Sequence, residues 1–225
     1  MAAGVKRGEL CIFDLDGTLV DSLRDIAEAV NECLELLSLP THPAEHYRFL
    51  VGEGVPTLCQ RAIGQTHPHL LQRLIELARP RYRTRVLRHT RPYAGIDRML
   101  QELGRRGYKL AVLSNKPHDM TVRVVRAFWP DNTFARIQGY ESEEQRKPNP
   151  HFVADIAREC AIEPCAIWMI GDTPTDIHTA RQGGARSIGV TWGFRERADL
   201  EAAGADFLVD QPLQIVDLLE RARTA

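Results

Sequence analysis

The sequence predicts an α/β protein: a parallel sheet covered by helices on both faces, interrupted early by an all-helical segment. Short apolar runs recur along the chain, and most of them stop at a polar residue. Helical patterns separate these runs, and the alternation is suspended between residues 21 and 92. Strands buried on both faces read as unbroken apolar runs, and strands that alternate with helices form parallel sheets.

The first run, Leu10-Cys11-Ile12-Phe13, ends in Asp14-Leu15-Asp16-Gly17-Thr18. Leu23, Ile26, Ala27, Val30, Leu34 and Leu37 then follow helical spacing, with Ser22 and Asp25 as a start signal. Leu39-Pro40 and His42-Pro43 punctuate the chain, and more helix is expected around Val55 to Ile63 and His69 to Ala78. No strand-like run appears in this stretch. It is therefore expected to be a helical insert, hinged at Val20-Asp21-Ser22 and Arg91-Pro92-Tyr93. The expected domains are a core of residues 1–20 and 93–225 and an insert of residues 21–92.

The alternation resumes with a helix on Ile96, Met99, Leu100 and Leu103, then the run Leu110 to Leu113 before Ser114. A helix on Phe152, Val153, Ile156 and Ala157 precedes the run Ile167 to Ile170, which stops at Gly171-Asp172. Ser187 to Val190 and Phe207 to Val209 complete the strands. In such sheets ligands bind beyond the carboxyl ends of the strands.

Composition narrows the function. The 225 residues carry a formal net charge of −1, so no global field draws in nucleic acid or an anionic membrane. An anionic ligand must then be held by local groups. Arg79, Arg81, Arg83, Arg85, Arg88 and Arg91 form a basic stretch, but on a helix they spread around the circumference. A solvated helix is expected there, with no nucleic-acid partner. No segment approaches the roughly 20 apolar residues of a membrane span, and the early apolar run is too short for an export signal. Cys11, Cys33, Cys59, Cys160 and Cys165 have neither framework nor zinc spacing. A soluble protein of the reducing cytoplasm is expected, as a monomer or a homodimer.

Asp14 and Asp16 face the same side if the chain stays extended. Two carboxylates so close repel unless a proton or a cation relieves them. A magnesium ion would do so through oxygen ligands, leaving one carboxylate as nucleophile and the other as acid and base. The same pentapeptide also suits a strand that runs into a solvated Asp-Gly turn. Ser114 and Asn115 can donate to phosphate oxygens, or can be an ordinary strand-to-helix turn. Lys147 is one of four lysines in a chain that otherwise uses arginine. Its compact ammonium fits a phosphoryl oxygen, although a solvated loop cation has the same sequence. In Gly171-Asp172-Thr173-Pro174-Thr175-Asp176, Pro174 fits a first helical position with Thr173 as its cap. Asp172 could then complete a magnesium shell while Asp176 holds Lys147. Two acids at a helix N-terminus would also be favourable by themselves.

Taken in order, these segments resemble the haloacid dehalogenase superfamily, in its phosphoglycolate-phosphatase-like branch. The segments are Phe13 to Ser22, Ser114-Asn115-Lys116, Arg146-Lys147-Pro148-Asn149-Pro150 and Gly171 to Asp176. The resemblance implies a Rossmann-like core with an inserted all-helical cap domain, Mg2+ as cofactor and a small phosphorylated metabolite as substrate. It implies Asp14 as nucleophile and Asp16 as the acid for the leaving alcohol. Asp14, the Asp16 carbonyl and Asp172 would bind the metal. Ser114, Asn115 and Lys147 would hold the phosphoryl group, with Thr18 also at the substrate and Asp176 in support. The dehalogenases proper lack an acid at the Asp16 position, so a phosphate ester is expected. The segment Val51-Gly52-Glu53-Gly54-Val55 resembles the cap loop that closes over the leaving group. There Gly52 and Gly54 would permit close approach and Glu53 would orient a polar substrate; a plain helix-initiating turn also fits. 2-Phosphoglycolate leads as substrate. A sugar phosphomutase, a pyrophosphatase or nucleotidase, and a phosphoacceptor signalling switch are the alternatives.

Overall fold

The structure is a computed structural model that describes residues 9–224. Strands β1 (Leu10–Phe13) and β2 (Val20–Asp21) come first, followed by helices α1 (Leu23–Leu36), α2 (Gly54–Ile63) and α3 (Leu71–Arg85). Strand β3 (Arg91–Pro92) then leads into α4 (Ile96–Arg105), β4 (Lys109–Pro117), α5 (His118–Phe128), β5 (Arg136–Tyr140) and α6 (His151–Cys160). The chain closes with β6 (Ile167–Gly171), α7 (Pro174–Gln182), β7 (Arg186–Val190), α8 (Arg197–Ala202), β8 (Phe207–Val209) and α9 (Pro212–Thr224).

Six strands form one parallel sheet in the order β5-β4-β1-β6-β7-β8. Alternate residues enter opposite faces, as the period of two requires. Leu10, Ile12, Ala111, Leu113, Ile167 and Met169 pack with Phe152, Val153 and Ile156 of α6. Cys11, Phe13, Leu110, Val112, Trp168 and Ile170 join Ile96, Met99, Leu103 and Leu219 on the other face. At roughly 1.5–3 kcal/mol for each large apolar side chain buried, these two layers fix the strand ends. Every strand of this sheet except β5 coincides with a run expected from the sequence. That edge strand, Arg136-Ile137-Gln138-Gly139-Tyr140, has no apolar run because it lies half-buried at the margin.

The stretch from residue 21 to 92 is helical, as expected, apart from the two residues of β2 and β3 at its ends. These strands pair antiparallel with each other, Val20 with Pro92 and Asp21 with Arg91, so both junctions form one small ribbon. The expected start signal at Ser22 works differently from a cap. Ser22 makes no side-chain cap bond; its hydroxyl donates to Asp16 Oδ1 at 2.6 Å. Asp25 is fully buried and accepts hydrogen bonds from His89 N, Thr90 N and Thr90 Oγ, which ties α1 to the approach of β3. Leu34, Tyr47, Leu58, Leu74, Ala78 and Tyr82 build the apolar interior of the insert. The basic stretch meets acids: Arg83 lies 2.7 Å from Asp119, and Arg85 pairs with Glu32. Among the described residues no helix is long and apolar enough to cross a membrane.

Candidate active site

From β1 the chain first builds outward through β4 and β5, then returns to place β6 on the other side of β1. Such a reversal opens a crevice at the carboxyl end of the central strand. Phe13, the last residue of β1, sits opposite Val112 of β4 and Ile170 of β6. Asp14 therefore emerges between Ser114, further along β4, and Asp172, which follows β6. The chain leaves the extended conformation at that point, and it is a turn that brings Asp16 round. Leu15 O accepts from Thr18, Leu19 and Val20, and Gly17 takes φ +91. A side chain at Gly17 would also collide with Asp172, so glycine is required there twice over. Asp14 and Asp16 both line the resulting cavity, together with Ser114 and Asn115.

Lys147 reaches into this crevice from the loop before α6. Its Nζ lies 2.6 Å from Asp176 Oδ1 and 2.9 Å from Asp14 Oδ1. The first contact is an aligned hydrogen bond. The second is close but poorly aligned, so the buried Asp14 Oδ1 retains no hydrogen-bond partner. Asp176 Oδ2 accepts from both the amide and the hydroxyl of Thr173, the residue expected as the cap of α7, so Asp176 also takes part in a capping box there. Asp172 Oδ1 accepts from Thr18 Oγ at 2.9 Å, and its Oδ2 accepts from Phe194 N at 2.8 Å.

The electrostatics follow from this crowding. Burial raises the Asp14 carboxyl above the usual range; Lys147 opposes that rise and Asp176 adds to it. Burial also raises Asp172, and the nearby charge of Asp14 raises it further. Burial disfavours the Lys147 ammonium, but Asp14 and Asp176 outweigh it and hold the group above its ordinary value. Two crowded carboxyls with raised pKa values, beside a buried oxygen without a hydrogen-bond partner, are a donor set that a divalent cation would relieve. Asp14, Asp172 and Asp176 each offer a carboxylate oxygen within 4.8 Å of the others, a hard-oxygen set that fits a divalent ion such as magnesium. Lys147 and Thr173 occupy Asp176, and Thr18 and Phe194 N occupy Asp172, so of the three only Asp14 keeps a buried oxygen without a hydrogen-bond partner.

Three expected contacts are arranged differently. The Asn115 side chain is spent on the frame rather than free for phosphate: Nδ2 donates to Gly52 O and Lys147 O, and Oδ1 accepts from Lys147 N. Thr18 steadies Asp172 and is absent from the cavity wall. Gly52 and Gly54 line the cavity, but the Glu53 carboxylate turns to Arg61 in a part-exposed ion pair. Sequence reasoning also left Lys116 and Tyr82 out of the site. Lys116 Nζ donates to Asp16 Oδ1 at 2.6 Å and to Tyr82 Oη, and both residues line the cavity. The rarity of lysine was a usable signal for Lys116. Tyr82 gave none, since Leu74, Ala78 and Tyr82 read as an ordinary apolar helix face.

The family profile described as haloacid dehalogenase-like hydrolase matches residues 11–190. The phosphoglycolate phosphatase of Haemophilus influenzae (strain 86-028NP) is 31% identical over 218 residues, covering 92% of this chain and 96% of that protein. The phosphoglycolate phosphatase of Vibrio vulnificus (strain CMCP6) is 30% identical, covering 94% and 96%. Among solved structures, a predicted phosphoglycolate phosphatase from Haemophilus somnus 129pt superposes with a TM-score of 0.87 at 27% identity. That match covers 96% of this chain and 100% of the other.

Proposed function

The chain belongs to the haloacid dehalogenase-like hydrolases, and from that premise we propose a magnesium-dependent phosphatase that works through an aspartyl-phosphate on Asp14, with 2-phosphoglycolate as its substrate. It is an enzyme of phosphate esters. The observation that carries the finer reading is the placement of Lys147. One buried ammonium lies within 2.9 Å of Asp14 and 2.6 Å of Asp176, beside Asp172.

In this reading Asp14 attacks phosphorus: a bond forms between its carboxylate oxygen and phosphorus as the ester P–O bond breaks. Asp16 gives its proton to the departing alkoxide. It then takes a proton from water, which attacks phosphorus, releases inorganic phosphate and restores the Asp14 carboxylate. Lys147 and the Ser114 hydroxyl neutralise and orient the phosphoryl oxygens. Asp176 fixes the lysine, and Thr18 with Phe194 N fixes Asp172. Magnesium, held by Asp14, Asp172 and the backbone carbonyl of Asp16, would stabilise negative charge on the phosphoryl group.

Residues 1–20 and 93–225 are proposed as the catalytic core, with 21–92 as the cap that completes the cavity. The cytoplasm is the proposed location, where the five free cysteines stay reduced. The test is phosphate release from a panel of 2-phosphoglycolate, sugar phosphates, nucleotides and pyrophosphate, with and without magnesium. Magnesium-dependent release that is fastest with phosphoglycolate is expected. Phosphate passed to a sugar, or preference for a nucleotide or pyrophosphate, would replace the substrate assignment. A lasting phosphoprotein without turnover would replace the enzyme with a switch.

A further inference from the structure

Among the described residues that line the cavity, Lys116 is the only cation and Tyr82 the only phenol. The mechanism above uses neither. Lys116 comes from the end of β4 and Tyr82 from α3 of the insert, so the two halves of the chain meet at this pair. Both are buried, with 4% and 6% of their surface exposed. The Lys116 ammonium lies 4.8 Å from the centre of the Tyr82 ring.

A buried ammonium beside apolar side chains is costly unless it has an anion to serve. Asp16 is one such anion, yet Ser22 already donates to the same Asp16 oxygen at 2.6 Å. Of the three N–H donors of Lys116, Asp16 and Tyr82 take two. Around them the wall is apolar: Ile26, Val51, Val55, Leu58 and Phe194. The space is about 50 Å³ for the centres of water-sized molecules, where one water needs roughly 10–15 Å³. Such a space has room for a short carbon skeleton with a charged end.

Position sets where that charged end must lie. Asp16 has to reach the leaving oxygen to protonate it, and Lys116 touches Asp16. An anionic group that Lys116 grips is therefore attached very near the ester oxygen. We propose that Lys116 and Tyr82 form a specificity-determining pair that binds a carboxylate on the leaving alcohol. The enzyme would then select phosphate monoesters of small 2-hydroxy acids. This rests on the phosphatase reading and assigns that site its selectivity.

The test compares 2-phosphoglycolate with 2-hydroxyethyl phosphate, in which a neutral hydroxyl replaces the carboxylate. A charge-assisted hydrogen bond supports a preference of about tenfold to hundredfold in kcat/KM for the acid ester in the wild-type enzyme. Lys116→Met should bring that ratio toward one, mainly by raising KM for the acid ester. Tyr82→Phe, which keeps the ring, should lower the ratio a few-fold. A wild-type ratio near one, with both esters hydrolysed, would overturn the proposal. So would a Lys116→Met enzyme that loses the same factor on both esters, since that is the signature of a residue that only holds Asp16. A wild-type ratio near one overturns the proposal even where a substituted chain does not fold, and where Lys116→Met does not fold, the ratio in Tyr82→Phe tests the pair. Absence of turnover on either ester and on the wider panel is a separate outcome, and it strikes the phosphatase reading itself.

Discussion

The strand-end side of the cavity and its insert side are built on different physics. On the strand-end side, Asp14, Lys147, Asp172 and Asp176 are buried ionisable groups whose partners come from separate strand ends and loops. On the insert side, backbone carbonyls take the place of charges. Arg195 donates to Val51 O, Asn115 to Gly52 O and Arg146 to Glu53 O, so core side chains hold the loop by its main chain. Gly54 takes φ +84, a conformation that favours glycine, and a side chain there would displace the end of Arg146. Buried charge is costly to leave unpaired, whereas a side-chain donor lost from a partly exposed loop carbonyl leaves a group that water can still reach. Substitutions should therefore be severe on the first side and graded on the second.

The largest effect is expected at Asp14. Asp14→Asn should reduce magnesium-dependent phosphate release by about three orders of magnitude or more, measured by steady-state release from 2-phosphoglycolate. Next comes Lys147→Met, which leaves Asp14 and Asp176 facing each other without their cation. Activity should drop by at least about a hundredfold and stability by about 3–5 kcal/mol, read by urea denaturation of the variant. A variant as stable as wild type would mean that the strand-end side does not depend on its charge pairs.

A third contrast uses pH. Asp14 and Asp172 hold protons more tightly in the fold than in the unfolded chain, chiefly because they are buried. The unfolded chain loses those protons first. These two groups therefore contribute most to the metal-free fold in acid, and that contribution is lost as pH rises through the raised values. Magnesium replaces the proton, so the rise in melting temperature that it causes should be small near about pH 5 and larger near about pH 8. Thermal denaturation with and without magnesium at both values checks the sign.

The insert side should respond more mildly. Arg195→Ala removes the donor to Val51 O and should raise KM by a few-fold with little change in stability. Glu53→Gln should be the smallest of all, below about twofold, because its ion pair with Arg61 is part-exposed. A tenfold loss at Glu53 would return that carboxylate to the substrate.

The same division explains what could be read in advance. Apolar runs end where the sheet's carboxyl edge lies, so Asp14, Ser114 and Asp172 declared themselves by position. Lys147 did so by rarity. The strand β5 stayed hidden because an edge strand needs no apolar run. Asn115, Thr18 and Glu53 were legible as polar residues near the site, but their partners were not. Lys147 O and Asp172 are chosen by tertiary approach, which leaves no local pattern, and Arg61, eight residues from Glu53, lies outside the usual helical pair spacings. Tyr82 is the clearest case, since a core-like tyrosine on an apolar face becomes a site residue only once α3 meets Lys116.

The most direct test of the central claim is chemical trapping of the covalent intermediate. Wild-type enzyme turning over 2-phosphoglycolate with magnesium is quenched rapidly in acid, reduced with borohydride and mapped by peptide mass spectrometry. An acyl-phosphate on Asp14 predicts homoserine at position 14. Homoserine at position 172 or 176, or none anywhere while phosphate is still released, would contradict it.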